Sequence, residues 1–83
     1  MEEKQIGSVD HFFGNISVGM IKLSDALKVG DKIRIKGSTT DLTQDISSMQ
    51  INRVAAQEAK AGDIISIKVD QKVRKDDVVY KVA

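Results

Sequence analysis

Apolar residues in this chain recur at every second position, in short runs. In "DKIRIKG" (Asp31 to Gly37), Ile33 and Ile35 alternate with Lys32, Arg34 and Lys36. In "DIISIKVD" (Asp63 to Asp70), Ile65, Ile67 and Val69 alternate with Ser66 and Lys68. Side chains two apart share one face of an extended strand, so each run predicts a half-buried β-strand. "DVVYKVA" places Val78, Tyr80 and Val82 on one face. "NISVGMIKL" groups Ile16, Val18 and Met20, with Ile21 and Leu23 opposite. No stretch has the length and period of a crossover helix. "RVAAQEAKAG" (Arg53 to Gly62) and "LSDALKVG" (Leu23 to Gly30) favour at most a short turn.

Two segments break the alternation. In "DLTQDISSMQIN", Leu42, Gln44 and Ile46 share one phase, while Met49 and Ile51 take the other. An extra residue at Ser47-Ser48, a β-bulge, would restore one buried row. In the opening strand "QIGSVDHFF", Val9, His11 and Phe13 share a face and Ile6 and Phe12 lie on the other. About six short strands at this spacing predict an all-β fold, a small closed antiparallel barrel without exposed sheet edges. With 83 residues there is room for one domain. Residues 6–83 are assigned to it and residues 1–5 to an N-terminal tail.

The strand signal is preceded twice by the same corner. "LKVGDKIRIKG" and "AKAGDIISIKV" both read Lys-x-Gly-Asp, then Ile-x-Ile-Lys. Glycine supplies positive φ at a tight turn, and aspartate accepts hydrogen bonds from nearby N–H groups. Gly30, Asp31, Gly62 and Asp63 are therefore structural turn residues. "VRKDDVVYKV" is a weaker third copy with Asp76 at the glycine position, and aspartate tolerates the left-handed region better than most residues.

Composition limits function. The 13 Lys and Arg against 12 Asp and Glu give a net charge of +1, so overall basicity does not demand nucleic acid. A local stripe can still suffice. Lys32, Arg34 and Lys36 form one, continued by Lys68, and they are the candidate RNA-binding residues. Phe12 is a candidate exposed anchor for a partner. The polar loop Ser38, Thr39 and Thr40 is a second candidate contact. There is no cysteine and no metal-ligand spacing. His11 is the sole histidine, and Asp10 beside it points the other way along a strand. No nucleophile–base pair assembles, so the expectation is a non-enzyme without cofactor. No apolar run approaches the ~20 residues that span a bilayer. The absence of cysteine and of an apolar leader favours the cytoplasm.

Taken together, "LKVGDKIRIKG", "SMQINRVAAQEAKAGDIISIKV" and "KVRKDDVVYKV" resemble the β-barrel second domain of the translational GTPases, typified by elongation factor Tu. "IGSVDHFF" is similar to that family's opening strand. Val9 to Phe13 and Lys36 to Leu42 resemble still more closely the C-terminal barrel of the collagenase-like peptidases. The resemblance runs from about Ile6 to Val82. It implies a free-standing, non-catalytic barrel that contacts RNA, such as tRNA or rRNA, or the translation and RNA-modification machinery. The alternative it implies is an accessory subunit that binds a peptidase-family protein in trans. No G-x-x-x-x-G-K-[ST] run is present, so GTP binding by that device is excluded.

Overall fold

A computed structural model describes residues 3–82. The order is β1 (Glu3–Phe13), β2 (Val18–Leu23), β3 (Leu27–Lys28), β4 (Lys32–Lys36), β5 (Asp41–Asp45), β6 (Met49–Ile51), β7 (Val54–Ala56), β8 (Glu58–Ala59), β9 (Ile64–Lys68) and β10 (Val78–Val82). The fold is all-β, with no helix among the described residues. Eight strands form one antiparallel sheet in the order β5-β4-β10-β1-β2-β9-β6-β7, and β3 pairs with β8 separately.

The expected closed barrel is corrected in one respect. Backbone pairing does not close the sheet, because β5 and β7 end the ladder. The sheet curls instead until β5 meets the chain after β9 through a side chain. The Gln44 amide donates to the Lys68 carbonyl at 2.9 Å and accepts from the Asp70 N–H at 3.0 Å. One primary amide thus substitutes for a peptide group across the seam.

Alternation places the core as expected in β4 and β9: Ile33, Ile35, Ile65, Ile67 and Val69 are buried. In β2 the inward row is Ile21 and Leu23, and in β10 it is Val79, so Val18, Met20 and Tyr80 face outward. β1 explains its own ambiguity. Ile6 and Val9 are buried and Phe12 packs against the core, a spacing of three. Two register shifts allow it, between Gln5 and Gly7 against β10 and between Val9 and His11 against β2. Each extra residue resets the inward phase and bends the strand. Residues 3–5, assigned from sequence to a tail, belong to β1, with Glu3, Lys4 and Gln5 opposite Val82, Lys81 and Tyr80. Met1, Glu2 and Ala83, part of the tail and domain assignments, lie outside the described residues.

The bulge expected at Ser47-Ser48 is a strand break. Ile46 and Met49 are both buried, but β5 and β6 stand far apart in the sheet order. The Arg53 to Gly62 segment holds β7 and β8 rather than a helical turn. Its alanines pair across strands, with Ala56 opposite Met49 and Ala59 opposite Leu27. Helix propensity is a weak prior that tertiary pairing overrides.

Three corners carry one hydrogen-bond pattern. Asp31, Asp63 and Asp77 each accept, on Oδ2, from the backbone N–H three residues earlier, at Lys28, Lys60 and Arg74 (3.0, 3.0 and 2.9 Å). Each aspartate N–H returns a bond to that residue's carbonyl. The residue before it has positive φ: 100° at Gly30, 93° at Gly62 and 75° at Asp76. Each corner also clasps one buried residue by two backbone bonds, to Ile46, Leu23 and Val9 respectively. The repeated sequence is therefore a repeated corner, used three times.

Candidate binding groove

The outward face of β4, β5 and β10 holds the predicted basic stripe. Cross-strand pairing sets Lys32 opposite Asp45 and Lys36 opposite Asp41. Arg34 is bound on both sides. Its Nε and Nη2 donate to the two oxygens of Asp41 at 2.9 and 3.0 Å, and its Nη1 donates to Glu3 at 2.9 Å. These bonds raise the Arg34 pKa and hold the Asp41 carboxyl below its ordinary value. Lys4 similarly lowers Asp25, and Lys81 lies 3.3 Å from Asp31. Arg34 is thus neutralised inside the fold, whereas Lys32 and Lys36 stand exposed opposite their aspartates with no ion pair among the described residues. Lys68 stands on β9 and meets β5 at the seam, where its carbonyl accepts from Gln44.

The other predicted contacts also shift. Phe12 packs against the core, while its neighbour Phe13 is 39% exposed. Phe13, rather than Phe12, is the surface aromatic. Its ring meets that of His11 edge-on, with centroids 4.5 Å apart. Ser38 and Thr39 are exposed in the β4–β5 connection. Thr40 is buried and its carbonyl accepts from the Gly37 N–H at 2.8 Å. The loop is a closed turn, with the buried Asp77 carboxylate against Gly37. Among the described residues no three side chains of the metal-binding types converge.

A surface that the strand pattern did not single out lies on β2, β6 and β9. Phe13, Ile16, Val18, Met20 and Ile64 line a groove of about 540 Å³, with Gln50, Asn52, Arg53 and Ser66. It is built from the outward rows of β2 and β9, where Val18 faces Lys68, Met20 faces Ser66 and Lys22 faces Ile64. A smaller depression of about 170 Å³ adjoins it, sharing Val18, Gln50 and Ser66 and reaching Lys68. Ile16 is 56% exposed at the β1–β2 turn. Three of the four non-glycine residues with positive φ (Ser17, Asn52 and Arg53) border this groove. Strained backbone of this kind clusters at binding surfaces. Single exposed aliphatics are ordinary, but a contiguous set marks an interaction site. The sequence clue was the set Ile16, Val18 and Met20 opposite an equally apolar Ile21 and Leu23.

No protein-family model matches the chain. Over 77 residues it is 40% identical to the uncharacterized protease MJ0090 of Methanocaldococcus jannaschii, covering 92% of this chain. The chain is a homologue of part of that protein. It spans only 19% of that relative's length. Among solved structures, the C-terminal domain of a U32 peptidase from Geobacillus thermoleovorans matches with a TM-score of 0.90, over 96% of this chain and 93% of that one, at 16% identity. A bacterial selenocysteine-specific elongation factor, EF-Sec, matches with a TM-score of 0.74 over 94% of this chain and 15% of that one, at 20% identity. Both resemblances read from the sequence are met, and the structural likenesses establish the fold. No helix is long and apolar enough to cross a membrane among the described residues.

Proposed function

We propose that this chain is a non-catalytic binding module of the cytoplasm that docks onto a larger protein of the U32 peptidase type. One observation carries the reading: three of the four large exposed apolar side chains among the described residues, Phe13, Ile16 and Ile64, gather in a single groove, whereas Arg34 at the centre of the basic stripe is ion-paired within the fold. The homology to part of a protein named a protease, and the fold shared with a peptidase C-terminal domain, support the partner class. The module supplies a docking surface, and any chemistry belongs to the partner.

Association with RNA or the translation and RNA-modification machinery is the second reading. It draws on the likeness to the EF-Sec barrel and on Lys22, Arg53 and Lys68, which form no ion pair among the described residues. Two titrations separate the readings. In the first, the Methanocaldococcus relative lacking its matching segment is mixed with this chain and followed by calorimetry. Docking predicts a saturable complex that Ile16→Asp abolishes. In the second, tRNA and an unrelated RNA are titrated at two salt concentrations. Phosphate-driven binding weakens steeply with salt. A salt-sensitive tRNA complex with no complex in the first titration would reject docking in favour of RNA.

A further inference from the structure

The groove has a charge pattern as well as an apolar floor. Among the described residues no carboxylate lines it. Lys22 and Lys68 stand at opposite ends of the β2–β9 ladder, facing Ile64 and Val18 rather than an acid. Arg53 stands on the groove wall at the β6–β7 turn. Among the described residues none of these three cations is ion-paired; Lys32 and Lys36 on β4 are not either, but each of those stands opposite an aspartate. Between the two lysines lie Val18, Met20 and Ser66. Val18 to Lys22 spans four residues of strand, or about 13 Å.

We propose that the groove binds a short extended peptide segment of the partner in which two carboxylates about 13 Å apart bracket an apolar side chain on the same face of the strand. This rests on the docking reading above and names the chemistry of the docked segment. The carboxylates meet Lys22 and Lys68, and the apolar side chain between them settles on Val18, Met20 and Ile64 beside Phe13. The aliphatic floor favours a peptide over single-stranded nucleic acid, which stacks its bases on aromatic platforms. Only Phe13 in the lining is aromatic. Unpaired rim charges opposite acids steer the partner in and set its register.

The test is fluorescence anisotropy with three labelled peptides, Glu-Thr-Leu-Thr-Glu, Lys-Thr-Leu-Thr-Lys and Glu-Thr-Ser-Thr-Glu, in which the first, third and fifth side chains share one face, and a labelled single-stranded oligoadenylate. The first peptide is expected to bind at least about tenfold tighter than either other peptide. The double variant Lys22→Glu/Lys68→Glu should reverse the preference to the lysine peptide. Lys32→Glu/Lys36→Glu, on β4, should leave it unchanged. All four substitutions are at exposed positions, and circular dichroism checks that each variant keeps its β fold. Equal binding of the three peptides, no binding of the first, or oligoadenylate binding lost in Lys22→Glu/Lys68→Glu while the acidic peptide fails would each overturn the proposal. If the peptide fails but the truncated relative still forms an Ile16-dependent complex, this inference falls and the docking reading stands. If both fail, both fall.

Discussion

Two regions of the outer surface of this sheet set their cations beside different neighbours. On β4, each lysine stands opposite an aspartate of β5, and Arg34 is gripped by Asp41 and Glu3. On β2 and β9, Lys22 and Lys68 stand opposite aliphatic residues and border an apolar groove. Opposite charges directly across a strand pair stabilise the sheet, so the first face uses its charge internally. The second leaves both charge and apolar area uncovered. A count of basic residues therefore does not distinguish the two regions; their cross-strand neighbours do.

The largest expected effect tests whether both faces depend on one strand. β1 sits between β10 and β2 and so joins the two faces. Gly7 lies so close to β2 that a methyl group there would overlap the Lys22 carbonyl oxygen, which is backbone and cannot turn aside. Gly7→Ala should cost about 2–3 kcal/mol, measured by urea unfolding. An unchanged midpoint would show that the two faces are not coupled through this contact.

A smaller effect sharpens the boundary between the faces at the seam. Gln44→Ala removes both amide bonds to Lys68 and Asp70. It should cost about 1–2 kcal/mol. Amide exchange should rise at Asp70 and leave the β4–β10 ladder protected. Equal loss of protection on both faces would mean the seam is not a local junction.

The third corner gives a change of opposite sign that touches neither face. Asp76 holds φ at 75° where the other two corners use glycine. Asp76→Gly should stabilise the protein by about 0.5–1 kcal/mol, with the groove unaltered. A loss of thermal stability would show that the Asp76 side chain contributes more than its strain costs.

Acid titration should produce the smallest effect, and on one face only. Arg34 holds the Asp41 carboxyl below its ordinary 3.8. A depressed folded value means that this ionisation stabilises the protein above 3.8, and that the contribution is lost as pH falls through the folded value. Because the pair is exposed, the loss should be a minor decline in melting temperature below pH 3.8. Asp41→Asn should flatten that decline. An equal decline in the variant would assign it to other carboxylates.

Much of the fold was legible in the sequence, for identifiable reasons. β4 and β9 alternate strictly, so their burial followed from period two alone. The corners were legible because Gly-Asp encodes both the φ sign and the carboxylate acceptor, and Asp76 could be read as a substitute. β1 was not legible, because an inward spacing of three requires bulges that depend on both neighbouring strands. The Ala-rich stretch misled because its pairing partners, Met49 and Leu27, are remote in sequence. The stripe was visible, but the pairing of Arg34 was not: Glu3 lies 31 residues from it. The groove needed four separate segments to converge, so only its Val18 and Met20 row left a trace.

The central claim is that the groove, and not the β4 stripe, is the working surface. Backbone amide chemical shifts of the isotopically labelled chain, recorded with and without the truncated Methanocaldococcus relative, test it most directly. Perturbations should cluster at Phe13 to Lys22, Gln50 to Arg53 and Ile64 to Lys68. Perturbations centred on Lys32 to Asp45, with the groove silent, would contradict it.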